Sequence, residues 1–523
     1  MSTIDTPRPA AVIRPLEPLD GRRANDHAGR DDIEQQVERA HAPRTRPHVG
    51  FGTLLLYGFG ACSIGIKTRA LNNFLLIFYN QALGMRPETV ALAVTIITVI
   101  EAVGDPLIGF WSDNLRSRLG RRHPLIYASA IPIAVSFYFL WNPPSWLSPD
   151  MMFFYLLGCL FILRMATTAF EIPSVSLGPE LVPDYHRRSV ITSMRIFFRT
   201  ISGLLFAIAA FQIFLSNDHG GVTNRSGYLA FAITGSLVML AAVLCCGLAT
   251  HRFIPWLRKP SANAARPSHF VKDVAALWRV PAARIVLLVS LLVAIQLGSD
   301  RGLELYFGLY FWQMSQAQLS LIATLTAVAT LMGSLIGPAF GKRFGKLRGT
   351  LIGLPISLAI MITPVLLRLA GALPPNGSPV IFVMLAATAF VQGLLYMIMA
   401  TLMNSMMSDV VEELEVTTGK RSEGLLFSAD AFFSKAVSGV GVLISGGILW
   451  AIAFPVGAKP GQVAPDIVWH LGAIYVPIIT LLSLAVIAVQ ARFPIDEARH
   501  KRNLATLSDR ATEEMGTPIG IAP

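Results

Sequence analysis

Two carboxylates stand inside a hydrophobic run of the sequence, in VIEAVGDPLIGFWSDN, residues 99–114. Glu101 and Asp105 are four residues apart, which on a helix stacks both side chains on one face, about one turn from each other. Ionisable side chains are costly inside a bilayer, so each normally faces a cavity or a partner. Two adjacent carboxylates repel each other in a low dielectric. The pair therefore predicts a bound proton, a cation such as sodium between the acids, or neutralisation by an arginine of another helix.

A second apolar run carries Arg164, Thr168 and Glu171. Steps of four and three residues place all three side chains on one face of a helix. Lys435 lies in a further apolar run among small residues, so its ammonium has no short route to either membrane surface. These residues predict a polar site within the membrane, with Arg164 and Lys435 as candidate substrate ligands.

Charges of both signs occur in two other apolar runs. Lys67 and Arg69 lie near the middle of the first run, and Asp300, Arg301 and Glu304 cluster in the seventh. Asp300 and Glu304 stack four residues apart and Arg301 can reach Glu304, so an internal ion pair explains part of this cluster without a substrate. Together with the cations named above, the surplus positive charge would suit a substrate that carries a carboxylate or a phosphate, and Lys67 is a further candidate ligand.

These residues belong to a chain that is more apolar than an ordinary soluble domain, because 53% of its 523 residues are hydrophobic and 14% are charged. Apolar runs of about 20 residues, the length that crosses a hydrocarbon core of about 30 Å, recur after residue 50. Such runs must be helices, since lipid offers the backbone no hydrogen bonds. The sequence therefore predicts an all-α membrane protein with twelve transmembrane helices in two six-helix bundles. The predicted spans are 52–80, 88–111, 124–141, 151–178, 195–215, 227–249, 285–312, 318–340, 350–369, 379–407, 424–452 and 467–491.

The distribution of positive charge predicts the orientation. The loops 112–123, 251–284 and 341–348 are strongly basic. We therefore expect these loops and both chain ends on the cytoplasmic side of an inner or plasma membrane. These loops explain the net charge of +11, and we infer no nucleic-acid partner. The predicted domains are a disordered cytoplasmic N-terminal tail (1–49), a first bundle (50–250), a cytoplasmic linker (251–284), a second bundle (285–492) and a cytoplasmic C-terminal tail (493–523).

Cysteine spacing and the motif content exclude several classes of protein. Cys62, Cys159, Cys245 and Cys246 all lie in predicted spans and show no metal-ligand spacing. The sequence shows no nucleotide-binding glycine loop, nucleophile motif or zinc signature. We therefore expect neither an enzyme nor an ATP-driven pump, and no cofactor other than a coupling ion.

An internal repeat supports the division into two bundles. Each half carries a basic hairpin after its second span, LIGFWSDNLRSRLGRR from Leu107 and LIGPAFGKRFGKLRG from Leu335. Glycine allows a tight turn, while the cations stay at the cytoplasmic face and can hold neighbouring helix ends together. A charge cluster that only sets the topology explains any single arginine equally well. The gate candidates are Arg116, Arg118, Arg121 and Arg122.

Several segments together resemble a known family. GDPLIGFWSDNLRSRLGRRHP resembles the Asp-Pro, glycine and basic-loop signature of the glycoside-pentoside-hexuronide cation symporters, the melibiose-carrier-like branch of the major facilitator superfamily. TAFEIPSVSLGPELVPDYHRRSVITSMRIFF (168–198) resembles that family's fourth and fifth helices, and SDVVEELEVTTGKRSEGLLFSADAFFSKAVSG resembles its loop ten and helix eleven. With YGFGACSIGIKTRALNNF near the start, the resemblance covers residues 51 to about 490 and implies the major facilitator superfamily fold.

The resemblance also implies roles for single residues. Glu101, Asp105 and Thr168 would hold the coupling ion, and Glu171 would lie at the junction between ion and substrate. Glu replaces the Asp that some members carry at positions 101 and 171, which leaves open whether the ion is a proton or sodium, with Glu101 and Asp105 as the metal ligands for sodium. The substrate ligands implied by the same match are Glu171, Arg195 and Lys435.

One position departs from the family's sugar carriers. Gly65 stands where those proteins often have an acid, and nearby Lys67 and Arg69 add positive charge, which argues against recognition of a neutral galactoside. Aromatic rings can cover the apolar faces of a sugar. Tyr306 and Tyr396 are the candidates for such a wall.

These inferences predict a secondary transporter that works as a monomer and couples sodium or protons to uptake of a small molecule across the lipid bilayer by alternating access. A sugar, glycoside or hexuronide is the first substrate class. A lysolipid or other anionic amphiphile is the alternative, since Lys67, Arg69 and Arg164 could bind a phosphate. A non-transporting membrane sensor or scaffold is a second alternative, because a fold does not fix a function.

Overall fold

The computed structural model describes residues 48–182, 185–216, 220–257, 274–419 and 422–516, with side chains left undescribed at 149, 185–189 and 511–516. The chain divides into two compact units, Met1–His48 and Val49–Pro523, and the helices described below belong to the second. The predicted tail of residues 1–49 lies outside the described residues except for its last two.

All regular structure in the described residues is helical, which confirms the all-α prediction. Among the residues that the structure describes, eleven helices are long and apolar enough to cross a membrane. The first crossing, α1, is a series of helical segments and π turns between residues 51 and 82, so all twelve predicted crossings have a helical counterpart. The helices after α1 are α2 (Pro87–Asn114), α3 (His123–Trp141), α4 (Pro149–Leu181), α5 (Tyr185–Ala209), α6 (Tyr228–His251), α7 (Pro281–Tyr306), α8 (Gln316–Phe344), α9 (Lys346–Leu369), α10 (Pro379–Thr418), α11 (Glu423–Ala451), α12 (Pro465–Gln490) and α13 (Glu497–Gly516).

Short irregular turns modify this pattern. α5 and α7 each end in a π turn, Ala210–Phe214 and Phe307–Phe311, and a 3-10 helix, Ile254–Trp256, follows α6. Two further π turns, Ala70–Phe74 and Phe78–Ala82, interrupt α1. Such turns rotate the side chains that follow them and are common at functional sites in helices.

Several helices are longer than the predicted spans. α10 runs to Thr418, whereas the predicted span ends at residue 407, because the helix continues into a polar segment that includes Asp409 and Glu413. α7 begins at Pro281 instead of residue 285, with proline at its first helical position, where the missing N–H costs no hydrogen bond. Hydropathy detects only the apolar part of a helix, so both differences have the same cause.

Small residues bring α7 and α11 of the second half together. A Cβ atom at Gly298 would lie 2.3 Å from the carbonyl oxygen of Ser438, so the backbones approach closely at this point. The hydroxyl of Ser299 donates to the carbonyl of Gly441 at 3.0 Å, and the hydroxyl of Ser445 donates to the carbonyl of Ser299 at 2.9 Å. Close packing and interhelical hydrogen bonds of this kind stabilise helix pairs in lipid.

On its other side, α11 packs against α2 of the first half. A Cβ atom at Gly446 would lie 2.5 Å from the Cβ of Ala91. The hydroxyl of Thr95 donates to the carbonyl of Gly439 at 2.7 Å. This contact brings Lys435 of α11 to the carboxylates of α2.

The two halves are sealed at one end. We call the end that carries the arginine loop between α2 and α3 the basic face, and the opposite end the distal face. Near the distal face the hydroxyl of Tyr306 donates to Asn80 Oδ1 at 2.7 Å, and the amide of Gln81 donates to the carbonyl of Pro455 at 3.2 Å. Tyr306 and the adjacent Phe74 are completely buried. The interface is therefore closed on the distal side of its midpoint.

The C-terminal segment, predicted to be a tail, forms the helix α13 as far as Gly516 and docks on the end of α10. Arg499 pairs with Glu413 through two nitrogens, and the amide of Asn503 donates to Glu413 Oε2 at 2.7 Å. Phe493 and Ile495, which precede the helix, are buried in a cluster with residues of α7 and α10.

Candidate functional site

The carboxylates of α2 lie at the interface between the two halves. Glu101 is 1% exposed. Arg164 of α4 places Nη1 at 2.5 Å from its Oε2, Lys67 of α1 places Nζ at 3.5 Å from its Oε1, and Lys435 of α11 places Nζ at 2.9 Å from the same oxygen. Cations from three helices therefore surround a single buried carboxylate.

Asp105, the second carboxylate, shares one of these cations. Its Oδ2 lies 2.6 Å from Lys435 Nζ, and its Oδ1 accepts a hydrogen bond from the Thr168 hydroxyl at 3.0 Å. The positive group between the two carboxylates is thus the ammonium of Lys435, while Arg164 of another helix neutralises Glu101 from the other side. Since Lys435 belongs to the second half and the acids to the first, the ion pair crosses the interface.

Glu171 faces a separate cavity of about 290 Å³ on the basic-face side of α1, α4 and α5. Arg199 Nη1 lies 3.7 Å from Glu171 Oε1. Arg195, also in this cavity, lies over the ring of Tyr57 at 5.2 Å from its centroid. Its Nη1 atom is buried and has no hydrogen-bond partner among the described residues. The cavity therefore combines a loosely paired carboxylate with a guanidinium that can still bind an anion.

Gly65, the position at which the resembled family often has an acid, packs against α5. A Cβ atom there would lie 2.1 Å from the carbonyl oxygen of Arg199 and 2.4 Å from the hydroxyl of Ser202. The position is thus occupied by helix packing and has no room for a side chain. Lys67, two residues later, supplies the charged group that α1 contributes to the network.

The charges of α7 have partners different from those predicted. The hydroxyl of Tyr475 in α12 donates to Asp300 Oδ1 at 2.9 Å. Glu304 accepts a hydrogen bond from the amide of Asn73 in α1 at 3.1 Å. The expected ion pair between Arg301 and Glu304 is absent from the part of the chain that the structure describes, because Glu304 is directed across the interface toward α1.

Sequence reasoning missed Asn73 and Tyr475 as partners of these acids. An asparagine within the apolar run of α1 is a polar residue in a membrane span, which is the same signal that identified the buried acids. No comparable signal exists for Tyr475, because an aromatic residue in a span usually packs against neighbours or lipid.

The two candidate tyrosines are in different environments. Tyr306 is 0% exposed in the distal seal, where its ring is stacked on Tyr310 and meets Phe454 edge to face. This position corrects the prediction that Tyr306 lines a sugar site, because its ring is enclosed by protein and its hydroxyl is bound to Asn80. Tyr396 of α10 is 46% exposed and interacts electrostatically with Arg301 of α7, so it remains accessible to a ligand.

The four arginines predicted as gate residues separate into two pairs. Arg121 Nη2 and Arg122 Nε lie 2.6 and 2.8 Å from Glu180 Oε1 at the end of α4, and both arginines also approach Asp113. These ion pairs hold the loop to the first half. The other two, Arg116 and Arg118, are exposed. A gating role for any of the four stays a prediction.

One further group of side chains could bind a metal ion by geometry alone. Ligand atoms of Asp409, Glu412 and His500 lie within 4.8 Å of one another at the basic end of α10. Lys346 Nζ already lies 2.6 Å from Asp409 Oδ1, so the local charge is compensated without a metal.

Comparisons with known proteins agree with this architecture. Residues 56–497 match the family described as MFS/sugar transport protein. The chain is 24% identical over 399 residues to the inner membrane symporter YicJ of Escherichia coli K12, which covers 76% of this chain and 81% of that protein. It is 27% identical over 203 residues to an uncharacterized symporter, sll1374, of Synechocystis, and this alignment spans 38% of the chain and only 37% of that relative's length.

A shorter alignment and a solved structure complete the comparison. The chain is 28% identical over 141 residues to the sodium-dependent lysophosphatidylcholine symporter 1-A of Danio rerio, covering 27% of this chain and 26% of that protein. The crystal structure of the nucleoside transporter NupG, in its D323A mutant, superposes with a TM-score of 0.58 at 16% identity, covering 84% of this chain and all of that one. This likeness shows the major facilitator fold. Since the family match extends over most of the described helices, the chain belongs to the MFS/sugar transport protein family.

Proposed function

We propose that the protein is a cation-coupled symporter of the glycoside-pentoside-hexuronide type, which works as a monomer by alternating access, with its basic face in the cytoplasm of an inner or plasma membrane. The observation that carries the proposal is the ammonium of Lys435, which lies 2.6 Å from Asp105 and 2.9 Å from Glu101 across the interface. Alternating access moves one half against the other around a site near the bilayer midplane. Whatever neutralises these acids in place of Lys435 therefore controls that movement.

A proton suits this arrangement better than sodium. Lys67, Arg164 and Lys435 already surround Glu101, so a sodium ion would be added to three positive charges in a region of low dielectric. A proton on Asp105 removes the charge of that carboxylate and weakens its charge-assisted hydrogen bond to Lys435. We therefore assign proton binding to Asp105 and orientation of that acid to Thr168, with Glu171 next to the substrate.

The first substrate class is a sugar, glycoside or hexuronide. Support comes from the family match over residues 56–497 and from the polar groups that the two halves present to each other at mid-depth. Arg195, with a buried nitrogen that has no hydrogen-bond partner among the described residues, and Tyr396, which stays accessible, are the proposed ligands on the two halves. Arg164, Lys67 and Lys435 hold the acids and act on the substrate through their charge.

An anionic amphiphile is the second candidate. The cavity around Glu171 has aliphatic walls that include Ile64, Val175 and Ile196, and it contains the Arg195 guanidinium. A chain with an anionic head group would fit such a cavity. The partial likeness to a lysophosphatidylcholine symporter supports the same class.

Transport in proteoliposomes tests the proposal. Purified protein is reconstituted, a pH gradient is imposed, and uptake of a uronide, a neutral glycoside and a lysolipid is measured in sodium and in choline buffer. We expect uphill uptake of a sugar-type substrate that depends on the pH gradient and is unchanged in choline. Uptake that requires sodium and ignores the pH gradient would contradict the choice of proton.

A variant at Asp105 tests the coupling step. Asp105→Asn should abolish uphill accumulation but keep downhill exchange of substrate, because the amide cannot bind the proton while the helices stay packed. Asp466→Asn, which changes an exposed acid at the start of α12, is the matched control and should behave like the wild type. Undiminished uphill uptake by Asp105→Asn would refute the assignment.

A further inference from the structure

Two guanidiniums face the interface without a matched anion. Arg69 of α1 and Arg301 of α7 make no ion pair or hydrogen bond through their side chains within the described part of the chain. Arg301 is exposed and Arg69 is partly exposed. Both nevertheless lie next to the distal seal, since Arg301 is one turn and a half before the fully buried Tyr306. Accessible space therefore reaches these two arginines at the closed end of the interface.

The acids around the two arginines form hydrogen bonds with neutral side chains instead of ion pairs with the guanidiniums. Glu304 interacts electrostatically with both, yet it accepts its hydrogen bond from Asn73. The neighbouring Asp300 is bound to the hydroxyl of Tyr475. The two guanidiniums thus have two carboxylates nearby, but neither guanidinium contacts a carboxylate oxygen directly within the described residues.

This arrangement differs from that of the cations in the acid network. Lys67, Arg164 and Lys435 each lie within 3.5 Å of a carboxylate oxygen. A cation inside the membrane without a partner is costly. Guanidiniums bind carboxylate and phosphate oxygens in pairs, which relieves that cost.

We propose that Arg69 and Arg301 form an oxyanion-binding subsite at the closed end of the interface, with Asn73 and Tyr396 as neutral hydrogen-bonding neighbours. The substrate then carries a carboxylate or a phosphate. This inference rests on the proposed function, because it names the chemical class of the transported molecule. It also assigns Arg301 of α7 a role in binding the substrate, whereas an internal ion pair would have only a structural role.

The position of the subsite orients the substrate. On α1, Arg69 lies two residues and Asn73 six residues after Lys67, so at 1.5 Å per residue the subsite extends from about 3 Å to about 9 Å beyond the acid network along the helix. A molecule the size of a sugar that binds at the subsite can therefore also reach the acid network. Its anionic group binds near the distal face, and its hydroxyl groups lie toward Asp105 and Lys435.

The subsite also spans the moving interface. Arg69 belongs to the first half and Arg301 to the second, and the Asn73 to Glu304 hydrogen bond joins the halves at the same level. An anion that bridges the two arginines would add ion pairs between the halves to this hydrogen bond. Binding of the substrate then helps to hold the distal side closed until the anion leaves.

Binding to the purified full-length protein tests the inference. The probes are 4-nitrophenyl β-D-glucuronide and the matching glucoside, which differ only at C6, together with glucose 6-phosphate and a lysophosphatidate as other sources of an oxyanion. We expect the wild type to bind at least one oxyanion probe at least tenfold more tightly than the glucoside, as measured by calorimetry. The probe that is preferred identifies the source of the anion.

Variants show whether the preference arises at this subsite. Arg301→Gln and Arg69→Gln should each reduce the preference at least tenfold, Arg301→Lys should keep part of it, and Arg492→Gln, which changes an exposed arginine after α12, should keep all of it. Equal affinity of the wild type for all probes, no binding of any oxyanion probe, or an undiminished preference in both glutamine variants would overturn the inference.

A second measurement separates this inference from the proposed function. Asp105→Asn should keep the oxyanion preference in binding while it loses uphill transport. An oxyanion preference without any cation-driven flux in the wild type would refute the symporter and leave the subsite standing. Cation-driven flux of a neutral glycoside with no oxyanion preference would do the reverse.

Discussion

Two groups of charges at the interface are built in opposite ways. In Glu101 and Asp105, each carboxylate oxygen has a cation or a hydroxyl within ion-pair or hydrogen-bond distance. Around Glu304, the two nearest guanidiniums stay at a distance and the acid is held by an amide. Glu101 of the first group is buried and Asp105 is partly exposed, whereas Glu304 and Arg301 are exposed.

This difference separates two uses of charge inside a membrane. A compensated network stabilises a helix arrangement, and it can change that arrangement only when a proton or an ion alters its balance. A charge that is accessible and has no ion-pair partner can bind a ligand. The comparison predicts that variants of the first group change folding and conformation, while variants of the second change what binds.

The largest effect is expected for Glu101→Gln. The change leaves Lys67, Arg164 and Lys435 together without their shared counter-charge, and breaking a buried ion pair in this way lowers the free energy of unfolding by about 3–5 kcal/mol. Thermal unfolding of the purified protein in detergent should show a clearly lower Tm.

Two companion variants keep this prediction testable. Glu304→Gln should leave the Tm nearly unchanged, because its carboxylate forms no ion pair within the described residues. Adding Arg164→Gln to Glu101→Gln should recover part of the lost stability. A Glu101→Gln protein as stable as the wild type would show that the network contributes nothing to folding.

The next effect is expected for Lys435→Gln, which removes the ion pair between the halves. A hydrogen bond between charged groups contributes about 1.5–3 kcal/mol, so the population open at the distal face should rise at least tenfold. The measurement is the rate at which Gln81→Cys reacts with a membrane-impermeant thiol reagent, in a background where the four native cysteines are alanine. An unchanged rate would mean that Lys435 does not hold the distal side closed.

The sequence was sufficient to predict the membrane crossings and the buried acids. The contacts between helices could not be predicted from it, for physical reasons. Membrane insertion forces apolar runs into helices and makes charges such as Glu101, Lys67 and Lys435 conspicuous, so their participation could be predicted. Which of these charges meet depends on the packing of distant helices. Gly298 and Gly446 determine how closely α11 approaches α7 and α2, and no spacing within one helix reveals this.

The same reasoning explains the two misplaced groups. Helical spacing alone suggests a pair between Arg301 and Glu304, but the acid turns toward Asn73, a residue more than two hundred positions earlier in the chain. Tyr306 is of a residue type that is common in sugar sites, yet the π turn that follows it and the aromatic residues around it enclose its ring. Both cases are decided by contacts between the halves.

A smaller effect is expected for Tyr306→Phe. The change removes only the hydroxyl, which donates a hydrogen bond of 2.7 Å to Asn80 across the distal seal. The ring keeps its packing. Loss of one neutral hydrogen bond costs about 1 kcal/mol, equivalent to about a fivefold rise in distal opening by the same thiol assay. The binding preference between glucuronide and glucoside should not change. A changed preference would return Tyr306 to the substrate site.

The smallest effect on transport is expected for Asn503→Ala. Asn503 is buried on α13 and donates to Glu413, which Arg499 also holds, so the remaining ion pair keeps the acid compensated. Hydrogen exchange of the α13 amides should become at least about tenfold faster, since a hydrogen bond to a charged group contributes about 1.5–3 kcal/mol. Lys501→Ala, which removes an exposed partner of Glu497, should change neither exchange nor transport. Because α13 contacts α10 of the second half, substrate affinity is the further measurement. A changed affinity in Asn503→Ala would mean that a group of compensated charges can also influence the ligand. That result would contradict the distinction drawn between the two charge groups at the interface.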